Sequence, residues 1–403
     1  MSTPINAELL GDLHDLYRQL HASPELSMAE HDTSALIEER MTALGYAVTR
    51  HGGTGLAAVL ANGPGPVAAF RADIDALPLA EDTGLDYAST ATGTLPDGTE
   101  VPVMHACGHD MHIAAAIGAA TVLAQDTDSW RGTVIFIFQP GEETSAGAAA
   151  MVADGLWDAL PRPEVVFGQH VWPGLAGTVE LTSGPAMAMA DSWEVTVHGR
   201  GGHGSSPQDT IDPVLLMSHM IVRLQSVVSR EVAAQDSAVV TVAKVWAGLK
   251  ENIIPADAHF TINVRALNEG VRSEVLTALR RVLAAEATAS GAPAPTIREL
   301  YRFPLLVNEP DETARTVQVL SEALGHEQVS TVPARMGSED FGHLPQAINV
   351  PGVYWFFGGM PAEVIDGNDP VPSNHSPFFA PDIEPTLSTG ITAALSVLRD
   401  RLR

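Results

Sequence analysis

The chain of 403 residues has a single cysteine, Cys107, so no disulfide can form within it and a small cystine-stapled scaffold is excluded. A lone thiol fits a reducing compartment, and a cytoplasmic protein is expected. Basic residues are scarce: 22 Lys and Arg stand against 49 Asp and Glu, a formal net charge of −27. Such a surface repels phosphate backbones and anionic lipid, and neither a nucleic-acid nor a membrane partner is expected. Long apolar runs are missing too. The longest, residues 113–124, is too short to cross a bilayer and is interrupted by Gly118 and Thr121. Residues 1–10 lack the basic stretch followed by an apolar one that marks a secretory leader. Internal repeats and low-complexity segments are absent as well.

With 45% hydrophobic and 18% charged residues, the composition is that of a globular protein rather than a disordered one. The length suggests two or three domains with ample core. Residues 9–44 carry helical spacing (Leu13, Leu16, Leu20, then Leu36 and Met41) that Ser23-Pro24 should divide into two helices. Strand-like apolar runs then alternate with helical ones at 67–71, 111–125, 133–138, 146–153 and 165–171. Continuous apolar strands separated by helices predict an α/β unit with a mostly parallel sheet covered on both faces. Near residue 186 the pattern changes. Residues 193–198, 238–245 and 258–267 alternate in polarity, with helices predicted at 213–228 and 272–287. That order reads as an inserted α+β domain, βαββαβ-like. The expected division is a first domain at 1–185, an insertion at 186–294, and a return to the first domain at 295–403, ending with a strand at 350–357 and a helix at 384–401.

Chemistry-bearing residues concentrate where predicted strands end, the place where open α/β sheets form their sites. Asp73 and Asp75 follow the strand at 67–71; taken alone, a solvated turn explains them equally well. His105-Ala106-Cys107-Gly108-His109-Asp110-Met111-His112 packs three histidines, the cysteine and an aspartate into the start of an Ala-rich helix. A thiolate, imidazoles and a carboxylate in one turn make a dense ligand set for a divalent metal, while Asp110 could also cap the helix. Gln139-Pro140-Gly141-Glu142-Glu143 follows an apolar strand, with a Pro-Gly turn to aim the two glutamates. If Glu143 binds metal, Glu142 is adjacent and free to accept a proton. His170 ends the run at 165–167. A lone histidine after a strand is more often structural, and only the company of the other three segments raises it.

Together with Gly199-Arg-Gly-Gly-His-Gly-Ser-Ser-Pro207, Met336-Gly-Ser-Glu-Asp-Phe341 and Asn374-His-Ser-Pro377, these segments form an ordered set that resembles the M20 metallopeptidase family in its amidohydrolase branch, which contains hippurate hydrolases, N-acyl-amino-acid amidohydrolases and auxin-conjugate hydrolases. The resemblance implies a catalytic domain of metallopeptidase type and an inserted domain that serves as lid and dimer contact. It implies two divalent ions per subunit, zinc or manganese first and cobalt or nickel as alternatives. Cys107 would bridge them, His109, His170 and Glu143 would bind one or the other, and His375 would complete the set. Glu142 would be the general base, with Asp75 orienting a ligand from behind. Many relatives outside this branch have a His-x-Asp pair where this chain has Asp73-Ile74-Asp75, so Asp73 receives no ligand role, nor do His105 and His112.

The same resemblance places Arg265 and Asn252 as substrate-binding residues, for a carboxylate and a carbonyl respectively. An edge-strand arginine and a turn asparagine are equally consistent with their surroundings. His203, in a Gly-rich loop, resembles a lid histidine that meets the developing oxyanion. The implied reaction is hydrolysis of an N-acyl amino acid to a carboxylate and an amino acid, by a homodimer. A dipeptidase or aminopeptidase of the same family is the alternative. A hydrolase with Cys107 as nucleophile would leave Glu142, Glu143, His170 and His375 without a task. A non-catalytic binding protein on a decayed scaffold would be expected to have lost one of these residues, and all are present.

Overall fold

The computed structural model describes residues 5–403. They divide into two units, the first running up to Ala186 and including Val307–Pro333 and Asp340–Arg403, the second comprising Met187–Leu306 and Ala334–Glu339.

The first unit is built on an eight-stranded sheet in the order Ala47–His51, Gly55–Asn62, Gly132–Gln139, Val67–Asp73, Val165–Leu175, Gly352–Met360, Val179–Leu181, Val329–Thr331. Its centre is parallel: Val67–Asp73 pairs in parallel with Gly132–Gln139 on one side and Val165–Leu175 on the other, and the latter pairs in parallel with Gly352–Met360. These strands are apolar almost throughout because helices cover both faces, so neither set of alternate side chains meets water. Helix Ala7–Ala22 begins where the Asn6 side chain accepts from Leu9 N at 2.8 Å, and it stops at Ser23, before Pro24, which cannot continue a helix. Helix His109–Gln125 is buried almost all round and sits against Ala7–Ala22 and Ile383–Arg401. Small side chains permit that approach: a Cβ on Gly118 would lie 2.7 Å from Ile391 Cδ1 and 2.9 Å from Leu13 Cδ1.

The second unit is a five-stranded antiparallel sheet in which Ala238–Thr241, Asp257–Ala266, Met189–His198 and Thr296–Phe303 lie in that order, Val245–Ala247 pairing with Asp257–Ala266. Helices Pro213–Glu231 and Glu269–Ala289 cover its apolar face and share a core with Trp193, Phe260 and Ile262. Both start on a side-chain cap, Asp212 accepting from Val214 N and Leu215 N, and Asn268 from Gly270 N and Val271 N. The boundary expected at residue 295 is corrected here: Thr296–Phe303 pairs with Met189–His198 and belongs to the second unit, as does the short segment Ala334–Glu339. Its alternation of polarity is weak, and pairing across about a hundred residues of chain leaves no local signature.

Asp110 is not the N-cap of its helix. Gly108 occupies the cap position without a side-chain hydrogen bond, and Asp110 accepts from Met111 N at 2.9 Å through Oδ1 while its Oδ2 lies 2.7 Å from Nδ1 of the buried His21, whose Nε2 lies 3.0 Å from Glu81 Oε1. Burial opposes the charge on His21, but bonding and attraction to Asp110 and Glu81 push its pKa up from 6.5 to about 10. Stability drawn from this raised pKa is complete below 6.5 and is lost as pH rises through about 10. Replacing His21 by Gln leaves two carboxylates without their cation and is expected to cost about 3–5 kcal/mol. Chemical denaturation across the pH range should show the gap between the two proteins widest near pH 6 and shrinking toward about pH 10. A gap unchanged over that range would contradict the ion-pair assignment.

Candidate metal centre

Because the three central strands run the same way, their carboxyl ends deliver side chains to one place. Asp73 and Asp75 leave the Val67–Asp73 strand, Glu142 and Glu143 follow Gly132–Gln139, and His170 lies in Val165–Leu175. Cys107 and His109 arrive at the start of helix His109–Gln125, and His375 comes from a turn near the end of the chain, its N–H donating to Ala106 O at 2.8 Å. The bend between Cys107 and His109 requires glycine: Gly108 has φ +83°, and a Cβ there would meet Val171 Cγ1 at 2.3 Å.

Among the described residues of the first unit, potential ligand atoms lie within 4.8 Å of one another in four overlapping sets: Cys107, His109 and His170; Asp73, His109 and His112; Cys107, Glu143 and His375; and His109, Glu142 and Glu143. Cys107 Sγ is 3.3 Å from His170 Nε2, and Glu143 Oε1 is 3.2 Å from His375 Nε2 and 4.0 Å from His109 Nε2. The histidine tautomers follow from their other contacts. His109 Nδ1 faces the Asp75 carbonyl at 2.8 Å and His170 Nδ1 faces the Val171 carbonyl at 2.6 Å; a carbonyl only accepts, so both Nδ1 atoms carry hydrogen and both Nε2 atoms face the cluster.

These residues suit a divalent cation. His109 Nε2 and Glu143 Oε1 are buried and make no hydrogen bond, at a cost of about 1–3 kcal/mol each if nothing else meets them. Burial by itself would lower the His109 pKa, yet Asp73, Asp75 and Glu143 reverse this and raise it to about 10, so the carboxylates around the ring favour positive charge at this position. Burial, then Glu143, Glu142 and Asp73, push the Cys107 thiol well above its ordinary range. Burial also drives His170 toward its neutral form, the form that ligates. Sulfur, imidazole and carboxylate together match zinc and the later divalent transition metals.

Asp75 works from behind the cluster. Its Oδ1 lies 3.2 Å from His109 Nδ1, and its Oδ2 accepts from Ser27 Oγ at 2.6 Å and from Glu143 N at 3.0 Å, so one carboxylate orients both a histidine and the glutamate turn. Glu30 holds that turn from the other side, Oε1 accepting from Gly141 N at 2.9 Å and Met28 N at 2.7 Å. Neither Ser27 nor Glu30 is visible as functional in the sequence, where they are polar residues between two helices. Asp73 lies 3.5 Å from His109 Nε2, but Arg71 and His112 engage its oxygens. Asn374 donates to Cys107 O at 3.2 Å and to Val171 O at 3.3 Å, which ties the segment bearing His375 to the cysteine turn.

His203, Asn252 and Arg265 belong to the second unit. His203 pairs with Ile253 across a short ladder and accepts from Ser205 N at 3.1 Å, and Asn252 O accepts from Gly204 N at 2.9 Å. Arg265 donates to Met336 O at 2.8 Å, Ser338 Oγ at 3.2 Å and Asn263 Oδ1 at 3.1 Å.

The family model for Peptidase family M20/M25/M40 matches residues 69–400. The chain is 36% identical over 395 residues to an N-acetylcysteine deacetylase of Bacillus subtilis, covering 96% of each. It is 34% identical over 347 residues to thermostable carboxypeptidase 2 of Saccharolobus solfataricus, covering 85% of this chain and 84% of that one. A crystal structure of a Bacillus subtilis dinuclear metal-binding peptidase of the M20 family superposes with a TM-score of 0.75 at 30% identity, covering 98% of this chain and 99% of that one. The chain therefore belongs to peptidase family M20/M25/M40, and within it is a hydrolase of amide bonds.

Beneath the cluster, the fully buried Arg71 donates to Asp73 Oδ2 at 2.7 Å, Asp340 Oδ1 at 3.3 Å and Gln139 Oε1 at 2.9 Å. Arg71→Met would leave two buried carboxylates without this cation, and a loss of about 3–5 kcal/mol is expected in equilibrium unfolding. A variant within about 1 kcal/mol of the parent would show that Arg71 does not neutralise the floor of the site.

Proposed function

We propose that the protein hydrolyses N-acyl amino acids, releasing a carboxylate and an amino acid, with two divalent ions held by Cys107, His109, Glu143, His170 and His375. The observation that carries this reading is the convergence of those five side chains with Glu142 beside Glu143. When bound, the ions would supply an acidified water and a polarised substrate carbonyl. Glu142 accepts the water's proton and returns it to the leaving nitrogen, which amide chemistry requires because an unprotonated amide nitrogen departs poorly. Glu142 is buried, and the Gly141 turn that precedes it is held by Glu30. Asp75 keeps His109 in the Nδ1–H form, leaving Nε2 to the ion. Zinc or manganese is the proposed metal, with cobalt and nickel compatible.

In this reading Arg265 binds the substrate's carboxylate, Asn252 orients its carbonyl and His203 meets the developing oxyanion. The second unit then acts as lid and as the contact of a homodimer; a sedimentation mass of one chain would remove the dimer from the proposal. In this reading the protein is cytoplasmic, a compartment in which a thiol ligand stays reduced. The deacetylase relative supports an N-acyl substrate, and the carboxypeptidase relative supports the rival peptidase reading. A panel of N-acetyl, N-benzoyl and indole-acetyl amino acids against dipeptides separates the two: faster turnover of dipeptides would reject the acyl preference. The nucleophilic role for Cys107 is disfavoured on physical grounds, because its surroundings raise the thiol pKa where a nucleophile needs it lowered.

The two glutamates should separate in mutagenesis. Glu142→Gln should keep both ions while kcat falls by about a thousandfold or more, since the lost group acts in the transition state. Glu143→Gln should weaken metal binding itself. Equal metal loss from both variants, measured by elemental analysis, would overturn the division of roles.

A further inference from the structure

We propose that His112 is a positioning residue for His170, acting through the backbone of Val171; this rests on the metal-centre reading above. The pairing between Val67–Asp73 and Val165–Leu175 reaches only to Arg71 and Gly168, so beyond Gly168 that edge of the second strand has lost its partner strand. His112 takes the missing strand's place: Val171 N donates to His112 Nε2 at 2.7 Å. An amide N–H can only donate, so Nε2 accepts, and the hydrogen of the neutral ring sits on Nδ1, which gives it to Asp73 Oδ1. Asp73 is fixed in turn by Arg71 through its other oxygen. The peptide that joins His170 to Val171 is thereby held from the helix His109–Gln125, while the Val171 carbonyl accepts from His170 Nδ1 at 2.6 Å. The carbonyl that receives the His170 Nδ1 hydrogen thus belongs to a residue that His112 anchors through its N–H.

Ring contacts point the same way. The His112 ring packs against both ligand candidates, with its centroid 4.6 Å from that of His170 at an interplanar angle of 68° and 5.4 Å from that of His109 at 30°. A ring that served only as filler would not need both nitrogens bonded, yet both are. Outer partners of ligating histidines are worth roughly 10–100-fold in metal affinity in other metal sites. The role requires an acceptor at the Nε2 position and not merely a donor toward Asp73, which makes it separable from support of the fold.

The test uses the full chain stripped of metal and titrated with Co²⁺ or Zn²⁺ against a chelator, with the cobalt absorption spectrum and thermal unfolding followed in parallel. His112→Gln can place an amide oxygen near Nε2 and keep the Val171 bond. His112→Asn keeps a donor toward Asp73 but is too short to reach Val171. The expected result is an affinity for one of the two ions within about threefold of the parent for the Gln variant, and about 10–100-fold weaker with an altered cobalt spectrum for the Asn variant. Equal affinities in the two variants would overturn the proposal. Should the Asn variant not fold, a tenfold or greater loss in the Gln variant overturns it and retention supports it. The parent and His170→Ala are titrated alongside: a parent that takes up fewer than two ions, or a His170→Ala variant that loses none, would defeat the metal-centre reading instead.

Discussion

Negative charge buried at the carboxyl ends of parallel strands is the constraint on which the remainder of the first unit depends. Asp73, Asp75 and Glu142 are buried there, Glu143 lies among them, and Asp340 lies beneath. Carboxylates removed from water are costly unless paired or bonded. The chain meets this with Arg71 below, His21 against Asp110 to one side, and donors to Asp75 from Glu143 N–H and Ser27 O–H around the rim. What these groups leave unmatched is centred on His109 Nε2 and Glu143 Oε1, the place where a divalent cation would complete the balance. The supports below and the reactive groups above are therefore one electrostatic arrangement.

That arrangement explains why two adjacent glutamates can act differently. The N–H of Glu143 is fixed by Asp75 and its Oε1 points at His375 and His109, whereas Glu142 belongs to the same short turn with its side chain buried. The turn is gripped at both ends, by Glu30 at Gly141 and by Asp75 at Glu143. Such a grip suits an acid–base group, whose efficiency depends on distance to the proton it moves.

Much of the centre is legible in the sequence because its residues follow apolar strands at short spacing: Cys107 and His109 stand out by local density, Glu142 and Glu143 by the turn that precedes them, and His170 only in the company of the other segments. His375 is legible only through the ordered set of motifs. The supports are harder to see, because each is defined by a partner remote in sequence: Gln139 bonds Asp340 across 201 positions, and His21 meets Asp110 across 89. Asp110 shows the cost of local reasoning. A short acidic residue at a helix start suggests a cap, but Asp110 lies inside the first turn and divides its carboxylate, Oδ1 accepting from Met111 N at 2.9 Å and Oδ2 meeting the buried His21 at 2.7 Å. The strand Thr296–Phe303 likewise reads from its position in the chain as part of the first domain, whereas its backbone bonds belong to the second unit.

The central proposal is that the buried carboxylates, imidazoles and thiol would hold two divalent ions, with Cys107 needed for both. Metal content and chelator-competition affinities, measured on the parent and on Cys107→Ala, test it most directly. The account predicts two divalent ions per chain in the parent and weakened binding of both in the variant. A parent that holds fewer than two ions at saturation, or a variant that holds both as tightly as the parent, would contradict it.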